Sequence, residues 1–320
     1  MQLRLRLKWK ANMNPDFAPI FEPYYVEKLS KMRKTDVQFS HYTSAHVAVS
    51  VIRNKEIWLR NASVMNDYNE IRYGIGFAAA ALGTGGDPRF IKLLNDIDSN
   101  TPYGNRFHFT PTLPHDVHLL CLSEHGPENG PEGERDLGRL SMWRAYGGNT
   151  NVAIVFKREE LLNALGNTAI LKPVFYADER RFLEEFSNML DAVSANIDIL
   201  KEHPNDATHA LRSALDVATL STKHPGFAEE MEWRVIYRND SAGDKMPCEV
   251  FSVGDVPQKV HLLRLDGSSK PDMNEVLDHI LIGPTQFPEV IRSSLAEALR
   301  LSGFSEPETR VKVSHIPLRR

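Results

Sequence analysis

The stretch EEMEWRVIY, residues 229–237, places three carboxylates directly before an apolar run that favours a β-strand. With the two-residue period of a strand, the side chains at 231, 233, 235 and 237 face one way and those at 232, 234 and 236 face the other. Glu232 and Arg234 therefore share a face, which predicts an ion pair between them, and Glu230 shares that face too. Most acidic clusters are solvated surface, whereas this one leads into a strand with a buried character. Glu232 is thus a candidate functional carboxylate as well as an ion-pair partner.

The composition is that of a soluble globular protein. The chain has 320 residues, of which 42% are hydrophobic and 25% are charged, and its formal net charge is −4. Two cysteines, Cys121 and Cys248, are too few for a disulfide framework, and no apolar run is long enough to span a membrane. These features favour a cytoplasmic protein with no membrane partner, and they do not indicate a general nucleic-acid binder.

The order of predicted elements favours an α+β fold with antiparallel pairing. Short strands follow one another closely, helices are gathered in blocks, and no glycine-rich phosphate loop follows any strand. Residues 2–10 (QLRLRLKWK) alternate strictly, so we expect residues 1–30 to form an amino-terminal extension with an edge strand. Residues 31–320 are expected to form a single α+β catalytic-like domain with a helical insertion at about 178–225.

The motif HYTS, residues 41–44, lies where a predicted strand gives way to a helix. Its structural interpretation is a strand-end histidine followed by a helix N-cap from Thr43 or Ser44. Its functional interpretation uses the same corner, which brings an imidazole, a hydroxyl and backbone N–H groups together. Such a set suits a ribose or an amide ligand.

Two further stretches also have a structural and a functional interpretation. In NDYNE, Asn66, Asp67 and Glu70 are either ordinary turn residues or contacts to a site. In LSMWRAYGG, Trp143 and Tyr146 lie three residues apart and therefore share one face of a helix. They are either part of the core or the wall of a cleft that stacks on a flat heterocycle.

Taken together, the His-x-Thr element, the aromatic helix and the late glutamate resemble the ADP-ribosyltransferase superfamily. Its poly(ADP-ribose) polymerase-like and diphtheria-toxin-like members carry a His-Gly-Ser/Thr element, a tyrosine-bearing helix and a late E-Y-x-V-Y-like strand. MEWRVIY resembles that strand, with Glu232 at the catalytic position. The resemblance implies split antiparallel β-sheets with flanking helices and NAD as the substrate, with no metal.

The chain also resembles a widespread bacterial domain of unknown function over about residues 38–290. Members of that domain carry six short motifs. They correspond here to His41-Tyr42-Thr43, Asn66-Asp67 with Glu70, Cys121-Leu122-Ser123, Met142-Trp143 with Tyr146-Gly147, Glu232-Trp233-Arg234 and Ile282-Gly283-Pro284.

The superfamily resemblance assigns roles to individual residues. His41 would hydrogen-bond a ribose hydroxyl of NAD, the backbone of Tyr42 would hold the nicotinamide amide, and Thr43 would assist. The expected cofactor-binding set is His41, Tyr42, Thr43, Ser123, Trp143 and Tyr146. Glu232 would stabilise the oxocarbenium-like cation that forms when the glycosidic bond breaks. Supporting or acceptor-side groups would be Asn66, Asp67, Glu70, Glu230 and Arg234.

Three functions follow as hypotheses. The first is an NAD-dependent ADP-ribosyltransferase that modifies a protein or nucleic-acid acceptor. A toxin or phage-defence role would fit it, with a cognate antitoxin or immunity protein as a partner. The second is an NAD glycohydrolase, in which water is the acceptor. The third is a non-catalytic module that binds a nucleotide or a partner. Tyr42 stands where the superfamily has glycine, and the aromatic helix lacks the Lys-Ser pair of the polymerase-like members.

Overall fold

The computed structural model describes residues 17–64, 68–83, 86–98, 117–126, 133–146, 148–239, 244–253 and 255–317. The predicted strand at 2–10 and the candidate residues Asn66 and Asp67 lie outside these ranges. Among the described residues, no helix combines the length and the apolar character needed to cross a membrane.

The described strands form one ten-stranded, mostly antiparallel sheet and a separate two-stranded pair, so the α+β class is confirmed. The strands are Gln38–Ser44 (β1), Glu56–Asn61 (β2), Val117–His125 (β3), Asn151–Phe156 (β4), Ile170–Pro173 (β5), Phe175–Tyr176 (β6), Thr222–Lys223 (β7), Glu232–Arg238 (β8), Cys248–Val253 (β9), Val256–Arg264 (β10), Leu277–Ile282 (β11) and Val311–Val313 (β12). The two-stranded pair is β6 with β7, which run parallel.

The helices are Ala18–Phe21 (α1), Pro23–Arg33 (α2), Ala45–Asn54 (α3), Tyr68–Leu82 (α4), Arg89–Ile97 (α5), Glu134–Leu137 (α6), Leu140–Ala145 (α7), Arg158–Leu165 (α8), Glu179–Ala195 (α9), Ile197–Glu202 (α10), Pro204–Leu220 (α11), Met273–Val276 (α12) and Pro288–Leu301 (α13). Short 3-10 turns span Ala62–Val64 and Pro225–Glu230.

The sheet forks at β3. One edge of β3 pairs with β8 along 117–123, and β8 continues to β5. The opposite edge pairs with β1 at 123–125 and with β2 at 118–119, so β1 and β2 share that edge and diverge from it. β1 continues to β4, β11 and β12, while β2 continues to β10 and β9. The expected split into separate sheets is therefore a fork within one continuous sheet.

Two large apolar cores lie among the described residues. One face of the sheet carries a core that includes Phe39, Trp233 and Ile280 and is covered by residues of α2, α3, α8 and α13. The second core lies among the helices α1, α4, α5, α9, α10 and α11. β4 is buried at every position, which explains why NVAIVF is apolar without alternation. β9, at one end of the strand order, is largely exposed.

Two segments that the sequence predicts, the helical insertion and the amino-terminal extension, can be compared with the structure. The helical insertion expected at about 178–225 is present as α9, α10 and α11, with the break at His203. The described part of the expected extension contains α1 and α2, which occupy 18–33, and the strand predicted at 2–10 lies outside the described residues. Phe17, Ile20 and Phe21 are buried in the core formed with the insertion, so this segment packs onto the rest of the chain.

Candidate functional site

His41 lies at the fork. β1 pairs with β3 only through Ser40, and its ladder with β4 continues to Ser44. His41 Nδ1 is 3.0 Å from the carbonyl oxygen of Cys121 in the part of β3 between the two branches. Because a carbonyl only accepts, Nδ1 carries the hydrogen, and in the neutral ring Nε2 is left as an acceptor. Burial lowers the pKa of His41, and the nearby Arg60 lowers it further, so the neutral ring is favoured.

One row of side chains crosses the sheet beside His41. Ser40, Ser123 and Glu232 are directly opposite one another on β1, β3 and β8, so their side chains share a face. Two strand spacings of about 4.8 Å separate β1 from β8, so Glu232 lies about 10 Å from the His-Tyr-Thr motif. By alternation, Ser40 and Tyr42 are on the face of Glu232, and His41 belongs to the other face.

Glu232 is the centre of four linked charges, which we call the ion cluster: Glu230, Lys223, Glu232 and Arg234. Arg234 Nε donates to Glu232 Oε1 at 2.8 Å, which confirms the predicted ion pair. Lys223 Nζ donates to Glu232 Oε2 at 3.1 Å and to Glu230 Oε2 at 2.7 Å. Two carboxylates and two cations alternate, so the cluster has no formal net charge. Glu229 is exposed, as expected of a solvated surface acid.

A backbone kink at Met231 brings both carboxylates to one lysine. Met231 has φ 45° and ψ 49°, the left-handed region that non-glycine residues rarely occupy. Strand alternation therefore does not reach Glu230, which ends the 3-10 turn before the strand begins. The kink turns Glu230 toward Lys223, so the shared contact of Glu230 and Glu232 arises from a turn rather than from a shared strand face.

The ion cluster keeps Glu232 ionised although it is only 5% exposed. Burial raises the pKa of this carboxyl, but Arg234, Lys223 and hydrogen bonds from Arg234 and Cys121 outweigh burial and hold the pKa at about 2. A carboxylate this well paired is a permanent anion across the physiological pH range.

The low pKa of Glu232 predicts a pH-dependent contribution to stability. Relative to an ordinary pKa of 4.5, a folded-state value of about 2 contributes stability that is fully present above about pH 4.5 and is lost as pH falls toward 2. We expect the difference in the free energy of unfolding between wild type and Glu232→Gln to be constant from about pH 6 to 7. The difference should become smaller below about pH 4.5. Urea titrations monitored by circular dichroism would measure it. A difference that stays constant down to about pH 3 would contradict the assignment.

Arg139 binds three other segments of the chain around the ion cluster: β3, the turn before β8, and α6. Its guanidinium donates to Ser123 Oγ at 2.6 Å, to the carbonyl oxygens of Glu230 and Glu124 at 2.7 and 3.0 Å, and to Glu134 Oε1 at 2.5 Å. Both Arg139 and Glu134 are 4% exposed. Ser123 is therefore engaged in the framework, since its hydroxyl also donates to the Glu230 carbonyl at 2.5 Å. This ties it to the turn that carries Glu230.

Trp143 has a packing role, and it does not line an open cleft. It is 3% exposed, meets the ring of Tyr42 edge-to-face at 4.6 Å, and donates its indole N–H to the Leu137 carbonyl at 2.9 Å. A Cβ added at Gly138 or at Gly283 would come within 2.6 Å of the indole ring. The tryptophan is thus wedged between two glycines, and the functional interpretation of its side chain as a stacking surface does not fit.

Gly283→Ala is expected to lower the free energy of unfolding by about 1–3 kcal/mol, because the new methyl group overlaps the buried indole of Trp143. Chemical denaturation would measure the loss. Gly76→Ala is the matched control, since a Cβ there meets nothing within 4 Å on an exposed position of α4. That control should be neutral or stabilising by up to about 1 kcal/mol. Equal effects of the two variants would contradict the wedge.

The other expected site residues in the described ranges lie in, or at the ends of, β1, α4 and α7. Tyr42 is buried and accepts the backbone N–H of Arg139 at 2.9 Å through its hydroxyl. Thr43 is half-buried on β1, and Ser44 is the helix N-cap, accepting from the Val47 amide at 3.4 Å. Tyr146 ends α7 and is half-buried against the cluster of Tyr42 and Trp143. Glu70 falls in the first turn of α4.

The sequence interpretation missed Lys223, Arg139, Glu134 and Tyr176, whose hydroxyl accepts the Glu232 amide at 2.8 Å. Lys223 comes from the two-residue strand β7 and has no local pattern that marks it. Glu134 and Arg139 lie five residues apart on either side of Gly138, a spacing with no recognisable motif. Only tertiary contacts reveal these residues.

The geometry offers hydrogen bonding and a fixed anion. The fork supplies a neutral imidazole with one ring nitrogen held by a carbonyl, and the ion cluster supplies an ionised carboxylate about 10 Å away. In the described ranges, no three potential metal ligands among His, Cys, Asp and Glu lie together.

A segment that includes part of this site matches a known protein family. Residues 142–235 match the family model described as "Protein of unknown function (DUF2971)". No curated protein and no solved structure matches the chain. The matched segment runs from Met142 to Val235, so it contains Trp143, Lys223 and the other three members of the ion cluster. It excludes the HYTS motif and Gly283. The chain is therefore similar to this family across the ion cluster, and the similarity carries no assigned activity.

Proposed function

We propose that the chain is an NAD-dependent ADP-ribosyltransferase that modifies a macromolecular acceptor, with its reaction centre at the fork of the sheet. The supporting observation is the row Ser40–Ser123–Glu232, which leaves two strand spacings between Glu232 and the His-Tyr-Thr motif. The backbone separation of about 10 Å is within the span of one nicotinamide riboside. Strand alternation places the His41 side chain on the face opposite Glu232, so the riboside has to reach both side chains through the opening that β1 leaves where its pairing with β3 ends at Ser40.

Under this proposal His41 and Glu232 have complementary roles. The carbonyl of Cys121 holds His41 Nδ1–H, so Nε2 accepts a hydrogen bond from a ribose hydroxyl. Glu232 accepts from the hydroxyl next to the glycosidic carbon and stabilises positive charge as the bond to nicotinamide breaks. NAD supplies the cationic leaving group, so the chemistry requires no metal.

The proposal requires that Lys223 move away from Glu232 and that Tyr146 take the stacking role that the sequence assigned to Trp143. Both Glu232 oxygens are taken, one by Arg234 and one by Lys223. Lys223 also contacts Glu230, so it can shift toward that carboxylate and release Glu232 Oε2 to substrate. Because Trp143 is buried, stacking on nicotinamide falls to Tyr146, the half-buried aromatic at the end of α7.

A second candidate is a non-catalytic binding module. It is favoured by the neutral and fully paired state of the ion cluster, which has the form of a structural network joining β7, β8 and the turn before β8. A carboxylate neutralised by two cations stabilises a nearby oxocarbenium ion less than a solitary one does.

Incubation with radiolabelled NAD, alone and with cell lysate, separates the candidates. Transferase activity predicts label on protein or nucleic acid, whereas a glycohydrolase predicts free ADP-ribose without transfer. Intact NAD would contradict both enzymatic functions and favour the binding module. His41→Gln tests the imidazole's role separately from that of Glu232, because the hydrogen bond of the half-buried His41 goes to the Cys121 carbonyl rather than to the ion cluster. We expect that variant to fold normally and to lower turnover at least tenfold.

A further inference from the structure

Arg60 borders the opening of the fork on its β2 side. The pairing of β2 with β3 ends at Arg60, which is opposite Leu119, whereas the pairing of β1 with β3 ends at Ser123. The stretch of β3 between these two points pairs with neither branch, and it contains the Cys121 carbonyl that holds His41. Arg60 therefore lies two residues, or about 7 Å, further along β3 than this carbonyl.

The side chain of Arg60 is on the face of the sheet that carries Glu232. Arg60 is opposite Leu119, and the alternation of β3 puts Leu119 on the same face as Ser123, the residue opposite Glu232. The charge of Arg60 is one cause of the lowered pKa of His41, which shows that the guanidinium is close to the imidazole. Arg60 and His41 thus border the same opening.

Arg60 has no carboxylate partner among the described residues. Its Nε donates to Gln258 Oε1 at 3.2 Å. Within the same part of the chain Nη1 and Nη2 have no hydrogen-bond partner, and, unlike Gln258 Nε2, neither is sealed from solvent. Gln258 is 6% exposed, and its Nε2 also has no partner. The polar groups around Arg60 therefore include several donors that lack an acceptor.

The charge of Arg60 is not balanced by the ion cluster or by His41. The ion cluster has no formal net charge, because its two carboxylates match its two cations. His41 is favoured as the neutral ring. Burial lowers the pKa of the half-buried Arg60, since the guanidinium loses hydration that no described carboxylate replaces. An anionic ligand at Arg60 would supply the missing acceptor.

We propose that Arg60 binds the diphosphate of NAD through Nη1 and Nη2, while Gln258 orients the guanidinium by accepting from Nε. A planar guanidinium pairs with phosphate oxygens in a bidentate manner. In NAD a single methylene carbon separates the nicotinamide ribose from the diphosphate, so the groups that His41 and Arg60 contact are neighbours in the substrate. The assignment rests on the proposed function and names the phosphate site for its substrate.

The test uses ADP-ribose, which contains the diphosphate but no nicotinamide and therefore does not undergo the proposed cleavage. Isothermal titration calorimetry should show saturable binding of ADP-ribose to the full chain. Arg60→Met removes the charge and should weaken this binding about tenfold to a hundredfold. Arg53→Met is the matched control, because it removes the same charge from an exposed position on α3 and should leave the affinity unchanged.

A conservative variant keeps the test decisive if Arg60→Met does not fold. Arg60→Lys keeps the charge but not the planar donor set, so it should bind ADP-ribose more weakly than wild type and more tightly than Arg60→Met. Circular dichroism verifies the folding of each variant. Three results would overturn the assignment: no binding of ADP-ribose to wild type, wild-type affinity in a folded Arg60→Met or Arg60→Lys variant, or equal losses in Arg60→Met and Arg53→Met.

Failure of this assignment can be distinguished from failure of the proposed enzyme. If wild type leaves NAD intact but binds ADP-ribose in a manner that depends on Arg60, the enzymatic function is wrong and the phosphate site stands. If wild type cleaves NAD and a folded Arg60→Met variant binds ADP-ribose as tightly as wild type, the phosphate site is wrong and the enzymatic function stands.

Discussion

Replacement of Glu232 by glutamine is expected to lower the free energy of unfolding by about 3–5 kcal/mol. The loss arises because Arg234, which is fully buried, and Lys223, which is 1% exposed, lose their central anion. Lys223 retains Glu230, and Arg234 keeps its hydrogen bond to the Leu220 carbonyl but loses the carboxylate of Glu232. Urea denaturation at neutral pH would measure the change. The same variant should lose any NAD turnover.

A charge-balanced variant separates catalysis from stability. Glu232→Gln combined with Arg234→Gln removes one anion and one cation and leaves the Lys223–Glu230 pair, whose atoms are 2.7 Å apart. We expect it to recover a large part of the stability lost in Glu232→Gln, as coupled neighbours do in a double-mutant cycle. Additive losses would show that Glu232 and Arg234 do not interact, contrary to the 2.8 Å contact.

Arg139→Met is expected to have a comparably large effect, with a loss of about 3–5 kcal/mol in the free energy of unfolding. It leaves Glu134 buried without its cation and removes the donors to Ser123 and to the Glu124 and Glu230 carbonyls. Burial already raises the pKa of Glu134, so this carboxyl should take up a proton in the variant. Chemical denaturation at several pH values would report both changes.

The control for Arg139 is an exposed ion pair. Arg300 and Glu297 lie on α13, and more than half of the Arg300 side chain is exposed. Arg300→Met should leave stability nearly unchanged, because solvent screens such pairs. Adding Glu134→Gln to Arg139→Met should restore part of the loss. If Arg139→Met is as mild as Arg300→Met, the buried network does not hold the turn that carries Glu230.

Local patterns predicted the elements whose signals lie within the segment itself. Alternation in MEWRVIYR identified β8 and the Glu232–Arg234 pair. The end of the HYTS motif indicated an N-cap from Thr43 or Ser44, and Ser44 is the residue that caps the helix. The helical insertion was predictable because α9 and α11 are long and periodic. Each of these features depends on a period of 2 or 3.6 residues, which single-sequence patterns carry.

The rest depends on contacts between distant segments. Lys223 reaches Glu232 from a two-residue strand, and the positive φ of Met231 is unexpected for methionine. The functional interpretation of Trp143 failed because Gly138 and Gly283, one of them 140 residues away in the sequence, close around the indole. The pairing of β1 and β8 with opposite edges of β3, which sets two strand spacings between the HYTS motif and Glu232, is likewise a tertiary property that no single segment encodes.

Transfer of label from NAD by wild type and by the Glu232→Gln/Arg234→Gln variant tests the central claim most directly. The account predicts that wild type labels a protein or nucleic-acid acceptor. It also predicts that the variant leaves NAD intact although denaturation shows it to be folded. Wild type that leaves NAD intact, or a folded variant that transfers label at the wild-type rate, would contradict the claim that Glu232 is the catalytic carboxylate of an ADP-ribosyltransferase.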